Sequence, residues 1–412
     1  MRKRGATSIY IMLSGASSLF YSMLLTIELV YLTLTVGFSP LQLVLIGTVR
    51  QSISFLFQAP TGALADMYGR RGAVVIGVFL IGAGYLIEGA IPVLAVVFAA
   101  QMFIGFGVTL MDGADTAWIA DEVGVGRASQ LYIRAAQVGS LASLLGIAIS
   151  AVLVNVRLNL PIVLSGSLFI ALSVVLALVM PERNFRPLPR EDRTSWQQMY
   201  HTLRVGVRLV RLRPVLLTIL SIAILLGVFS AGFDQLWQYY LLHRFTFPTL
   251  GNLTTVTWFC IIEAGISATN FCGTWIAGHY ADTDSPRSVV IALFAIDGLM
   301  VLTVIGFALA GQFILALTVF FLFTTIAGPR IALERVWMNQ HLDSSVRATV
   351  FSLRGQVSAL AQIIGGPILG AVATAFDTRT ALITSGIILS PALLLYARTM
   401  RRDTPRSSKQ EE

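Results

Sequence analysis

The chain has 412 residues, of which 56% are apolar and only 12% charged, and its mean hydropathy is +0.78. This excludes an ordinary soluble domain, where about a quarter of residues are charged, and a disordered chain, which would be polar. Two cysteines and four histidines exclude a disulfide scaffold and leave little for a structural zinc site, and the net charge of +8 is no nucleic-acid footprint, because the basic residues sit in short segments between long apolar runs.

A helix needs about 20 mostly apolar residues to cross about 30 Å of hydrocarbon. Twelve such spans are expected. Spans 1 to 6 run near 9–34, 41–64, 72–91, 93–118, 130–154 and 159–180. Spans 7 to 12 run near 214–242, 252–279, 286–310, 312–336, 346–375 and 380–398. Gly37, Ser39 and Pro40 break the first connection, Pro92 the third, and Pro181 ends span 6. The first span is long and lacks a small-residue cleavage site, so it reads as a retained helix.

The one long polar connection, 181–213, carries Trp196, Met199, Leu203, Val207 and Val210 at helical spacing. It reads as a linker with an interfacial amphipathic helix. The expected organisation is an amino-terminal six-helix bundle (1–180), this cytoplasmic linker (181–213), a carboxy-terminal six-helix bundle (214–398) and a cytoplasmic tail (399–412). Arginine placement gives the orientation. Arg2, Lys3, Arg4, Arg70, Arg71, eight arginines of the linker and those of the tail lie on one side. Only Arg157, Arg244 and Arg379 lie on the other. Both termini are therefore expected in the cytoplasm.

The two halves repeat at an offset of 219 residues. Ala136–Gly146 reads AQVGSLASLLG, and Gly355–Gly365 reads GQVSALAQIIG. Trp118 answers Trp337, and three residues before each stands an acid, Asp115 and Glu334. A duplicated six-helix unit is the architecture of many secondary transporters.

Between spans 2 and 3 stands Gly62-Ala63-Leu64-Ala65-Asp66-Met67-Tyr68-Gly69-Arg70-Arg71. It resembles the signature loop of the major facilitator superfamily, G-x-L-x-D-(R/K)-x-G-(R/K)-(R/K), departing at Met67. Gly278, Asp282 and Arg287 form a worn copy between spans 8 and 9. The resemblance implies an all-α integral-membrane fold of two pseudo-symmetric six-helix bundles that works by alternating access. It also implies a gating role for Asp66, with Arg70, the amino terminus of span 11 near Val346, and Asp121 as partners. The other reading of the loop is a basic segment that merely fixes orientation.

The strings Tyr31–Gly37, Gly113–Trp118 and Phe233–Trp237 are similar to bacterial multidrug and tetracycline-resistance-like drug:proton antiporters. Exporters of that kind often carry G-x-x-x-G-P-x-x-G-G in span 5. Here span 5 has Gly139 and Gly146 without a proline, while span 11 has Gly365-Gly366-Pro367 and Gly370. The direction of transport stays open.

Ionisable groups at membrane depth need a partner, a wet cavity or a function. The resemblance places spans 1, 4, 7 and 10 around a central cavity, and each carries an acid: Glu28, Asp112, Asp234 and Glu334. Two clusters are expected, an outer one of Glu28, Asp234 and Arg50 and an inner one of Asp112, Asp115, Glu334, Arg134 and Arg354. Static structural bridges are the competing reading. Asp112, then Asp234, then Glu28 are the candidate proton carriers. Tyr21, Tyr31, Trp237, Tyr240 and Trp258 are candidate cavity aromatics, with lipid-facing packing as the alternative. Glu88 and Asp377 read as solvated near-interface acids, and Asp297 as locally paired.

Cys260 and Cys272 stand roughly 18 Å apart along one helix and cannot bridge within it. No catalytic triad, metal cluster or ATP-binding loop is present in the sequence, so no enzyme activity, metal or cofactor is expected and transport would be secondary. The expected function is proton-coupled efflux of amphipathic drugs by a monomer in the bacterial inner membrane. The alternative is a proton-coupled symporter or facilitator of a small metabolite.

Overall fold

A computed structural model describes residues 2–185, 214–248, 254–282, 285–342 and 344–402. The expected amphipathic helix of the linker and the tail beyond residue 402 lie outside the described residues, as do the side chains of Arg2, Lys3, Arg4 and Val346. All regular structure among the described residues is helical.

In chain order the helices are α1 (Arg2–Leu25), α2 (Glu28–Leu34), α3 (Pro40–Tyr68), α4 (Arg70–Ala90), α5 (Leu94–Met111), α6 (Ala114–Val123), α7 (Val125–Leu153) and α8 (Leu160–Val179). There follow α9 (Pro214–Arg244), α10 (Thr255–Tyr280), α11 (Pro286–Leu309), α12 (Phe313–Ala327), α13 (Arg330–His341), α14 (Ser344–Ala375), α15 (Thr378–Leu389) and α16 (Pro391–Arg402). Eleven spans among the described residues are long and apolar enough to cross a bilayer. The remaining helix, α10, is 26 residues long, but Glu263, Asn270 and its hydroxyls dilute its apolar content. The chain is a multi-pass membrane protein.

Four spans are broken, where continuous helices were expected. Span 1 breaks at Thr26–Ile27, where the Thr26 hydroxyl donates to the Ser22 carbonyl at 2.7 Å and competes with the helical ladder. Span 4 breaks at Asp112–Gly113, with Gly113 left-handed at φ +79°. Span 10 breaks at Gly328–Pro329 and span 12 at Ser390 before Pro391, since proline cannot continue the backbone ladder. The first connection behaves as read from sequence. Pro40 opens α3, and Ser39 and Gln42 form a reciprocal capping box with bonds of 3.4 and 2.8 Å.

Contacts divide the chain into two compact units, one of Met1–Tyr200 with Phe247–Ala264 and one of His201–Thr246 with Gly265–Glu412. Within the first unit, α4 is held between α5 and α8 by facing glycines. A Cβ on Gly77 would stand 2.7 Å from the Gly107 carbonyl, and one on Gly82 would stand 2.8 Å from that of Gly166. Such backbone approach is how helices associate in lipid, where apolar side chains gain nothing by leaving it. It also carries whatever α4 bears into the interior of the unit. In the second unit Phe233, Phe307, Phe320 and Phe323 form an aromatic core, with Phe233 and Phe323 centroids 4.5 Å apart.

Candidate functional site

The loop between α3 and α4 is built around Arg70. Its Nη2 donates to Asp66 Oδ1 at 3.2 Å, and Nη1 donates to Asp121 and, at 2.9 Å, to the Ala117 carbonyl. One guanidinium thus ties the end of α3 to α6. Gly69 has φ +126°, and a Cβ there would meet Glu182 Oε2 at 2.9 Å. Glu182 accepts from the Arg71 amide at 2.9 Å, and the Arg71 side chain donates to the Ala177 carbonyl. Glu122 accepts from the Arg183 and Asn184 amides at 2.7 and 3.1 Å. Sequence reasoning missed Glu122 and Glu182; the doublet Asp121-Glu122 was the available signal. Gly62 and Gly278 have open space where a Cβ would go. In the second copy Asp282 accepts from the Ser288 hydroxyl at 2.8 Å, and Arg287 is exposed.

The breaks bring charge to the interior of each unit. Glu28 opens α2 and is 4% exposed. Arg50 of α3 approaches it at 3.8 Å. The Gln101 amide of α5 donates to Glu28 Oε1 at 3.1 Å and to Glu88 Oε2 at 2.7 Å. Glu88 is fully buried, which corrects its reading as a solvated acid: α4 runs through the centre of the unit, so nearness to a loop does not expose it. Glu88 Oε1 and Gln101 Oε1 are buried with no hydrogen-bond partner among the described residues.

A cavity of about 360 Å³ lies in the same unit. Its wall carries Ser14, Ser17, Ser18, Ser22 and Ser143, with Tyr10, Tyr21, Met111 and Asp115. A second space of about 220 Å³ shares Tyr21, Met111 and Asp115 and adds Asp112. Asp112 is exposed and accepts from the Gln58 amide at 3.0 Å. Asp115, in the first turn of α6, accepts from the Thr116 amide at 2.6 Å. Arg134 is exposed and lines another space with Arg127, Thr7 and Ser8, so it does not pair with Asp112 or Asp115.

The second unit holds a closed network. Arg330 donates to Asp297 through Nε at 2.6 Å and Nη2 at 3.4 Å, and to Glu334 through Nη1 at 2.9 Å. Arg354 grips both Glu334 oxygens at 2.8 Å, and the Tyr396 hydroxyl donates to Asp297 at 3.0 Å. Two acids meet two bases across α11, α13, α14 and α16. Glu28, Asp112, Asp115 and Arg134 belong to the first unit, and Asp234, Glu334 and Arg354 to the second. Asp234 is exposed and has no ion pair or hydrogen bond among the described residues.

Of the candidate aromatics, Tyr21 lines the two spaces that share Asp115. Tyr31 is buried, its hydroxyl donating to the Glu88 and Gly89 carbonyls at 3.3 Å. Trp237 stacks on Phe320 at 4.7 Å, and the Tyr240 hydroxyl donates to the Ala308 carbonyl at 2.8 Å. Trp258 is half-buried and donates to the Pro248 carbonyl at 3.0 Å. Tyr31, Tyr240 and Trp258 thus spend their polar groups on backbone carbonyls and Trp237 packs on the aromatic core; none of the four lines a described cavity.

The repeat register explains the contrast between the units. At the offset of 219 residues, Arg330 and Arg354 answer Met111 and Ala135. Glu334 is therefore clamped by two guanidinium groups, while its twin Asp115 faces a cavity with neither.

A family model described as "Major Facilitator Superfamily" matches residues 10–365. The chain is 20% identical over 393 residues to the "Uncharacterized MFS-type transporter YxaM" of Bacillus subtilis (strain 168), covering 94% of each chain. Its fold is similar to that of the nucleoside transporter NupG, with a TM-score of 0.75 at 11% identity over 97% of this chain and 100% of that one. It is also similar to a POT family transporter in complex with 5-aminolevulinic acid, with a TM-score of 0.72 at 15% identity over 97% and 96%.

Proposed function

We propose that this chain, which belongs to the major facilitator superfamily, exports small amphipathic cations in exchange for protons. That it is a membrane transporter and not an enzyme follows from the family; the substrate and the coupling are our reading. The observation that carries it is the cavity wall of the first unit. Asp115 stands there with no base beside it among the described residues, Asp112 is close by in the adjoining space, five serine hydroxyls offer hydrogen bonds, and Leu13 and Met111 offer apolar surface. An acid facing water in a low-dielectric wall attracts a cation strongly. Asp234, accessible and unpaired in α9, supports the same reading in the second unit. Asp112 is hydrogen-bonded and exposed, so it suits a substrate-facing role better than a buried proton carrier.

The serine-rich wall also favours a second reading, uptake of a small polar metabolite together with a proton. A drug-susceptibility panel in an efflux-deficient bacterial host separates the two. Raised tolerance to cationic dyes, abolished by a protonophore, is the expected result. Unchanged tolerance to every cationic compound would remove the export reading.

We place both termini and the segment 181–213 in the cytoplasm, in a bacterial inner membrane and as a monomer, with the arginine asymmetry supporting the orientation. Single cysteines introduced at Ser195 and Thr249, on a background lacking Cys260 and Cys272, give the check. An impermeant thiol reagent applied to intact cells is expected to label position 249 and spare position 195. Labelling of 195 alone would reverse the topology.

A further inference from the structure

We propose that Glu28 and Glu88 form a single proton-binding site, holding one proton between them across the Gln101 amide. The inference rests on the reading of proton exchange above and assigns the proton to particular atoms. Two carboxyl groups, 4% and 0% exposed, face one guanidinium, that of Arg50. With both ionised, the group would bury one uncompensated negative charge, which is strongly unfavourable. With one proton bound it is neutral overall. Two carboxyl groups that share one site and one counter-charge keep one proton for the same reason.

The hydrogen bonding points the same way. Gln101 spends its amide on both carboxyl groups, at 3.1 and 2.7 Å. The atoms left over, Glu88 Oε1 and Gln101 Oε1, are both buried acceptors when Glu88 is ionised. A bound proton turns a carboxyl oxygen into a donor and relieves that excess of acceptors. The other titratable groups facing the site are Tyr21 of α1, Tyr31 of α2 and Tyr85 of α4. None of these adds a positive charge.

The position suits exchange. Tyr21 borders both cavities and its ring lies 6.4 Å from that of Tyr85, which faces Glu28 and Arg50. The Arg50 side chain is 30% exposed, so the group is not sealed at that guanidinium. A cation entering beside Tyr21 and Asp115 supplies the positive charge that lets the pair release its proton. Its departure draws a proton back. Opposite movements of cation and proton follow from this one charge balance.

Infrared spectroscopy of the purified full chain in lipid, without substrate, tests the assignment. At neutral pH the wild type is expected to show a protonated-carboxyl band that exchanges slowly in deuterated water. Either Glu28→Gln or Glu88→Gln alone should remove the whole band, because each leaves one carboxylate facing one guanidinium. Asp112→Asn and Asp234→Asn should leave it in place. Survival of the band in either glutamine variant, or its absence from the wild type, overturns the shared proton. If one variant does not fold, the other and the wild type still decide. The readout needs no transport, so a protein that moves no cation yet shows the band loses only the export reading.

Discussion

Replacing Arg330 by methionine is expected to abolish accumulation of folded protein. The substitution keeps the volume and removes the charge that Asp297 and Glu334 share. Arg330 and both acids are nearly inaccessible, with side-chain exposures of 6%, 0% and 6%. Removing one partner of a buried ion pair typically costs about 3–5 kcal/mol, because the remaining charge stays desolvated. That approaches the whole stability of many proteins. Arg354, whose side chain is 28% exposed, pairs with Glu334 alone, and Arg330 still contacts that carboxylate when Arg354 is lost. Arg354→Met should therefore be milder, giving folded protein with a lowered melting temperature. Size-exclusion profiles and thermal unfolding in detergent would rank the two. Equal yields of Arg330→Met and wild type would mean that the network is dispensable.

Asp66→Asn is expected to slow transport by about ten- to a hundred-fold while leaving the melting temperature nearly unchanged. The static pair with Arg70 cannot produce a large stability effect. The Asp66 carboxyl is 41% exposed, and Arg70 keeps Asp121 and the Ala117 carbonyl when Asp66 is neutralised. Pairs this exposed contribute about 0–1 kcal/mol. A charge-assisted contact made in only one conformation of the cycle, worth about 1.5–3 kcal/mol, shifts a two-state equilibrium by the larger factor. Stability and turnover thus separate the two readings of the loop. Unimpaired turnover would reduce it to a topogenic signal, and a parallel loss of both would make it a structural tie.

The spans were legible because hydropathy and length act over twenty residues at once. The breaks within them were less so. Gly113 and Pro329 were visible in the sequence, but a single residue ends a helix only where packing permits, and Thr26–Ile27 contains neither glycine nor proline. Glu88 was misread because its place four residues before Pro92 suggests an interface. Its burial comes instead from Gly77 and Gly82 drawing α4 between its neighbours. Gln101 was passed over for lack of charge, although it joins the two buried acids. Asp115 and Glu334 were legible as repeat twins, yet their different surroundings depend on Met111 and Ala135 standing where the second half has arginines. A charge count alone hides this difference, because the first half also carries Arg134, one residue out of register and lining a different space.

The exchange of cation for proton is tested most directly in proteoliposomes carrying a pH-sensitive dye inside and ethidium added outside. With no ion gradient imposed, inward movement of ethidium through the protein should drive protons out and make the interior more alkaline. The alkalinisation should disappear in the Glu88→Gln variant. Acidification of the interior as ethidium enters, or entry with no pH change, would contradict the account.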